Sequence, residues 1–343
     1  MLIFLEITLH YLMQKILIIQ TAFIGDVVLA TSVAEKLHFY FPTAQIDFLV
    51  RKGNESLLEN NPCLHEVLVW NKKENKNKNL FALLKKIRKR KYDKVINMQR
   101  FFSTGLLTAF SGGQQTIGFD KNPLSFLFSK RIRHRFDMKQ PVHEVERYND
   151  MIKDFTDDNI TKPVLYPSPT DVDFIRRYTL HPYVTMTPSS VWFTKKYPLQ
   201  KWIDLINSFD PLYTIYLLGG KDDVAESEII QSLANNKNVI ILAGKLSFLQ
   251  SAALMKYATM NYVNDSAPLH FASAVNAPVT AIFCSTVPSF GFTPLSDKSF
   301  IVETKELLNC RPCGLHGYKA CPLRHFKCAH TIETRQLLET ILS

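Results

Sequence analysis

The chain's 343 residues, 46% of them apolar, suffice for two domains with separate cores and argue against one continuous domain. An excess of 41 Lys+Arg over 31 Asp+Glu gives a net charge of +10, which favours an anionic partner: nucleic acid, a phospholipid surface or a phosphorylated substrate. Six cysteines without an export signal point to the reducing cytosol and away from a disulfide framework.

In chain order, residues 1–19 are apolar but interrupted by Glu6, His10, Gln14 and Lys15, and they lack a basic start and a small-residue cleavage site. They read as neither a signal peptide nor a membrane span. A second methionine, Met13, precedes the regular pattern that begins at Lys15, so residues 1–12 read as an extension or a misassigned start. From there apolar runs alternate with amphipathic stretches, the pattern of parallel strands joined by crossover helices. The first half is predicted as strand 15–20 (KILIIQ), helix 27–41 ended by Pro42, strand 45–50, a lysine-asparagine loop at 71–79, helix 80–91 and strand 94–97. The run KPVLYPSP at 162–169 suits a linker. The second half is predicted as strands 183–186, 214–218, 239–242, 260–263 and 279–283, with helices 201–209, 224–234, 248–257 and 268–275. The expected fold class is α/β: two Rossmann-like doubly wound domains, 13–162 and 170–330, facing a central cleft at their strand carboxyl ends, then a helix over 331–343. No repeat of 20–50 residues is evident.

Three strand-to-helix segments carry chemistry. In TAFIGD, Gly25 allows a tight turn and Asp26 lands at the helix start, able to accept a proton, to cap the helix, or both. G-x-G-x-x-G is absent, which argues against a nicotinamide or flavin site. In NDSAPLH, Asp265 or Ser266 suits a helix cap and Pro268 the first turn, and the N–H groups there make a seat for a diphosphate. His270 reads either as a phosphate or ribose contact or as a core histidine. In TPSSVWFTKKYP, Thr187, Ser189 and Ser190 offer donors to phosphate oxygens, and Lys195 or Lys196 a charge for a departing diphosphate. Gly219 and Gly220, in GGKDD, occupy an equivalent position for contact with a nucleotide. The D-x-D triplet at Asp171 and Asp173 reads as helix-start charge rather than a metal clamp.

Basic clusters at 85–91 and at Lys130, Arg131, Arg133 and Arg135, interleaved with Phe101, Phe102, Phe110, Phe126 and Phe128, read as a solvated face or as a surface for an anionic membrane or nucleic acid. No nucleic-acid reading motif accompanies them. Cys310, Cys313, Cys321 and Cys328, with His316, His325 and His330 nearby, have a spacing that permits a structural zinc site or serves as packed thiols.

KILIIQTAFIGDVVLATSV, TPSSVWFTKKYP, NDSAPLHFASAVNAPVTAIF and CGLHGYKACPLRHFKC are similar, in order and spacing, to the signature stretches of the ADP-heptose:lipopolysaccharide heptosyltransferase family, glycosyltransferase family 9. The resemblance implies a GT-B fold and inverting, metal-independent transfer of heptose from ADP-heptose to the lipopolysaccharide inner core. It implies no cofactor beyond the donor substrate, and a cytoplasmic enzyme peripheral to the inner face of the bacterial inner membrane. By position, Asp26 is the implied general base, Lys195 a donor-phosphate ligand and 265–270 the diphosphate seat; Ile24 and Gly25 beside Asp26, and Arg131 and Arg133 of the basic cluster, are expected on the acceptor side. Ala267 and Cys284 replace glycines common in the family. Two other uses stay open: a related transferase for another nucleotide sugar, or a non-catalytic basic protein that binds nucleic acid or anionic lipid.

Overall fold

The computed structural model describes residues 14–342, so the reading of residues 1–12 lies outside the described residues. The chain divides into two compact units, one running to Phe136 and resuming over Glu144–Val164, the other made of Asp137–His143 and everything from Leu165 onward. The 137–143 excursion is tied to the second unit by His143, whose Nε2 lies 3.0 Å from the Thr293 carbonyl.

The first unit is a six-stranded sheet in the order β3-β2-β1-β4-β5-β6, with every neighbouring pair parallel. Its strands are β1 Lys15–Ile19, β2 Gln45–Arg51, β3 Glu66–Trp70, β4 Lys94–Asn97, β5 Gln115–Phe119 and β6 Lys130–Ile132. The run Ile16–Ile19 is fully buried, as a central parallel strand covered on both faces requires. Helix α1 spans Ile24–Tyr40, three residues earlier than predicted, because Phe23 occupies the N-cap without a side-chain cap bond and no capping residue marks the start. Pro42 cannot continue it. Helices α2 (Lys76–Arg90), α3 (Phe102–Ala109) and α4 (Glu144–Asn149) complete the unit. Lys36, buried in α1, donates to Asn149 Oδ1 at 2.6 Å and to the carbonyls of Asp157 (2.7 Å) and Asn159 (2.6 Å), and pairs with the Asp157 carboxylate at 2.6 Å. That single ammonium fastens α4 and the returning segment onto α1.

The second unit repeats the topology. Its strands β7 Tyr183–Thr187, β8 Thr214–Leu217, β9 Val239–Ile241, β10 Met260–Asn264, β11 Val279–Phe283 and β12 Ser299–Glu303 lie in the order β12-β11-β10-β7-β8-β9, again all parallel. The helices are α5 Pro169–Ile175, α6 Leu199–Asn207, α7 Val224–Leu233, α8 Phe248–Tyr257, α9 Ala267–Ala274, α10 Lys327–His330 and α11 Thr334–Leu342. Asp171 is spent on a reciprocal cap of α5 with Ser168, and Asp173 pairs with Arg176 at 2.8 Å. In both units the chain winds outward from the first strand, then restarts on its other side, so the topological switch points fall at β1/β4 and β7/β10. Ligands of doubly wound sheets bind outside the carboxyl ends of the strands at such points. Among the described residues no helix is long and apolar enough to cross a membrane.

Candidate active site

At the β1/β4 switch point, residues 20–23 lead from β1 into α1 and put Asp26 in the first helical turn rather than at the cap. Sequence reasoning missed the residues that hold this loop. Gln20 Nε2 donates to Tyr148 Oη at 2.9 Å, while its Oε1 accepts from the Ala22 amide and from Gln99. Lys72 Nζ donates to the Thr21 carbonyl at 2.8 Å, and Asn54 Nδ2 to the Ala22 carbonyl at 3.1 Å. Burial, then the charges of Arg51 and Lys76, lower the Lys72 pKa to about 8. Gln20, Asn54, Lys72 and Gln99 each follow one of the four strands β1 to β4 within three residues, a signal visible once all four strands are known.

Asp26 retains some exposed surface, yet its carboxyl is deep among protein atoms, and burial followed by the charge of Glu144 raises its pKa to about 7. The amides of Phe23 and Asp26 and the charge of Arg100 pull the other way without prevailing. A carboxylate half ionised near neutrality is matched to general-base work. Ile24 and Gly25 flank it in the same turn. Arg131 and Arg133 are exposed on or beside β6, three strands from β1, whereas Arg100, absent from the sequence reading, is the arginine whose charge reaches Asp26.

A raised pKa has a consequence for stability. The protonated carboxyl suits the folded state, and that advantage is lost as pH rises from the ordinary value of 3.8 through about 7. Asp26→Asn keeps the neutral shape, so it is expected to stabilise the first unit at pH 8 by on the order of 2–4 kcal/mol, the lower end being favoured by the partial exposure. Thermal melts at pH 8 should show a rise of roughly 5 °C that disappears by about pH 4. An equal or lower melting temperature at pH 8 would contradict the burial assigned to this carboxyl.

At the β7/β10 switch point the second unit gathers a cation and its anchor. Lys195 Nζ pairs with Asp265 Oδ2 at 2.7 Å, and Thr286 Oγ1 donates to the same oxygen at 2.6 Å. Asp265 therefore does not cap α9. Ser266 is the N-cap, and its hydroxyl lies 3.3 Å from the Asn264 carbonyl without capping the amides. Asn264, unremarked in the sequence, staples the neighbouring loop by donating to the Pro188 carbonyl at 2.6 Å and accepting from the Tyr197 amide at 2.9 Å. Ser189 and Ser190 are partly exposed, as is Ala267 at the start of α9. Among the described residues, Thr187 Oγ1 and His270 Nδ1 are buried polar atoms without a hydrogen-bond partner. Burial, then the charge of His143, pushes the His270 pKa down to about 3, so the ring is neutral and offers a hydrogen bond rather than a charge. Cys284 is fully buried behind this edge.

Three sequence candidates are drawn elsewhere. Lys196 pairs with Glu226 of α7 at 2.9 Å and diverges from Lys195. Gly220 donates its amide to Asp223 Oδ2 at 2.7 Å, and a Cβ on Gly219 would stand 2.7 Å from Asp223 Cβ, so this pair of glycines shapes the turn and the Gly220 amide is already used. A groove of about 480 Å³ lined by Arg176, His181, Tyr183, Tyr257 and Thr259 opens at the amino ends of β7 and β10, the edge opposite this chemistry.

Among the described residues, three thiols of the cysteine cluster contact near neighbours in the chain. Cys310 Sγ is 3.9 Å from His325 Nε2, Cys313 Sγ donates to the Cys310 carbonyl at 3.3 Å, and Cys321 Sγ accepts from the Phe326 amide at 3.4 Å. Among the described residues, three candidate ligand atoms lie within 4.8 Å of one another at Asp47, His65 and Glu66, not at the cysteines. That acidic pair is engaged by Arg90, Tyr92 and Lys86.

Two parallel six-stranded units with polar strand-end loops at matching switch points define the two-Rossmann-domain, GT-B class of glycosyltransferase folds. The sequence profile of glycosyltransferase family 9 (heptosyltransferase) matches residues 80–316. The chain belongs to that family and is a glycosyltransferase. It is similar to lipopolysaccharide heptosyltransferase 3 of Escherichia coli, 28% identical over 77% of this chain and 82% of the relative. In fold it resembles the E. coli ADP-heptose lps heptosyltransferase II (TM-score 0.78, 22% identity, 96% of this chain and 98% of that one). It also resembles a family 9 glycosyl transferase from Veillonella parvula (TM-score 0.83, 20% identity, 96% and 97%).

Proposed function

We propose that this chain transfers heptose from ADP-heptose to the phosphorylated inner core of lipopolysaccharide, with inversion and without a metal or other cofactor. The observation that carries the reading is the Asp26 carboxyl, raised to about 7 at the carboxyl edge of β1, in a chain similar to proteins named lipopolysaccharide heptosyltransferase 3 and 2. Asp26 takes the proton of the acceptor hydroxyl as its oxygen bonds to the sugar carbon. The bond from that carbon to the donor phosphate breaks, and the electron pair leaves with the diphosphate. Lys195 and the first turn of α9 receive the growing negative charge, the work a divalent cation does in other transferases. Attack opposite the leaving group inverts the carbon. Exposed Arg100, Arg131 and Arg133, with exposed Phe101, Phe102 and Phe126 in the same unit, suit a phosphorylated, lipid-linked acceptor at the cytoplasmic face of the inner membrane.

A panel of nucleotide sugars, scored for nucleotide release with lipopolysaccharide core acceptor, tests the donor. ADP-heptose is expected to react fastest and EDTA to leave the rate unchanged. A faster reaction with another nucleotide sugar, or loss in EDTA restored by Mg²⁺, would overturn the donor or the metal-free step respectively.

A further inference from the structure

The cysteine-rich strap over 310–328 has no task in the chemistry above, yet it is laced to the loops that carry it. Arg311 Nε donates to the Cys284 carbonyl at 2.8 Å, and its Nη2 reaches the carbonyls of Thr286 (2.7 Å) and Phe283 (3.1 Å) and the Glu303 carboxylate (2.6 Å). One planar guanidinium thereby sets three carbonyls at the end of β11. The Cys313 amide donates to the Ser285 carbonyl at 2.9 Å, and the Ser285 amide donates to the Thr194 carbonyl at 3.2 Å. Thr194 is then clasped from both sides: its Oγ1 accepts from the Tyr318 amide at 2.8 Å, and its own amide donates to the Tyr318 carbonyl at 3.1 Å. Gly317, with φ of +78°, has no room for a side chain, since a Cβ there would stand 2.8 Å from Thr194 Oγ1 and 3.1 Å from Lys195 Cγ.

We propose that the 311–318 part of the strap is a positioning device for the leaving-diphosphate seat: Arg311 fixes the 283–286 loop while Gly317 and Tyr318 fix Thr194, so that Thr286 and Lys195 converge on Asp265. The inference rests on the assignment of Lys195 to the donor phosphate. Neither 194–195 nor 284–286 belongs to a strand, so no sheet ladder holds these loops in register. A lysine stem also has four freely rotating bonds, and its ammonium stabilises a transition state only where it is already aimed. The strap supplies that order by backbone bonds to the residue before Lys195 and by packing Gly317 on the lysine stem. A lysine at 311 keeps the charge but cannot span three carbonyls and a carboxylate.

The test makes Gly317→Ala and Arg311→Lys alone and in a Lys195→Ala background. It measures kcat/KM for ADP-heptose, melting temperature, and the rate at which an amine-reactive ester labels Lys195, read by peptide mass. Each variant is expected to lower kcat/KM about tenfold in the natural background and less than about twofold once Lys195 is gone, the non-additivity of residues that act through one another. Lys195 labelling should rise several-fold while the melting temperature stays within a few degrees. Full additivity, unchanged turnover in both variants, or lost turnover with unchanged labelling would overturn the proposal. Wild-type turnover by Lys195→Ala alone would instead remove the donor-phosphate assignment, and labelling would still decide whether the strap holds the lysine. The two substitutions lie at opposite ends of the segment, so a folding defect in one leaves the other decisive.

Discussion

Asp26→Asn is expected to lower turnover by roughly 10²–10⁴-fold, the contribution of a positioned general base, while leaving donor affinity within about twofold of the natural protein. Asparagine preserves the size of the side chain in the first turn of α1 and an oxygen to accept from the Phe23 and Asp26 amides, but it cannot take up a proton. The pH profile should change with it. For the natural chain kcat/KM is expected to rise with pH and level off above about 7, as it would where only the ionised carboxylate serves as base and burial raises its pKa to that value. In the asparagine variant the residual rate should lose that limb. The same substitution is expected to stabilise the folded chain above pH 7, so activity and stability move in opposite directions, as they do where a fold carries strained chemistry. A variant that turns over at the natural rate, or that loses donor binding along with turnover, would show that Asp26 has another role.

Lys195→Ala is expected to cost roughly 10²–10³-fold in kcat, with a smaller rise in KM for the nucleotide sugar. The lysine sits against Asp265, which is itself bonded to Thr286, so the cation is held in place before any donor arrives. Charge on the diphosphate grows as the sugar departs, and a fixed cation therefore favours the transition state over the bound donor. Lys196→Ala serves as the comparison: it belongs to the Glu226 pair and should affect donor turnover far less. Steady-state kinetics on both variants check this, and equal losses at the two lysines would remove the distinction the structure draws between them.

Much of the second unit is legible in the sequence because β7, β10 and β11 are short, fully buried runs. The predicted strand 279–283 and helix 248–257 coincide with the observed elements, the latter marked by a cap at Ser247 paired with Gln250. Strands β3, β5, β6 and β12 escape the reading for identifiable reasons. β3 and β12 are edge strands with exposed Val69 and Ile301, β6 has three residues, and β5 (QTIGF) mixes polar residues and a glycine into its run. Helix α2 begins at Lys76 behind a left-handed Asn75 with no cap bond, so the lysine-asparagine stretch reads as loop. At the candidate site, Asp26, Lys195 and Asp265 are visible as polar residues between a strand and a helix. Gln20, Glu144, Thr286 and Arg311 are not, because their roles come from pairings far along the chain: Gln20 meets Tyr148 at a separation of 128 residues, and Arg311 meets Cys284 at 27. The cysteine spacing permits a structural zinc site or packed thiols, and it does not reveal the backbone amides, carbonyls and guanidinium that join the strap to the 194–195 and 283–286 loops.

The most direct measurement is the mass and anomeric configuration of a lipopolysaccharide core acceptor after incubation with ADP-heptose and either the natural chain or Asp26→Asn. The account expects the natural chain to add one heptose with configuration opposite to that in the donor, and the variant to add almost none. Nucleotide release with the acceptor unchanged, a product of retained configuration, or equal product from both chains would contradict it.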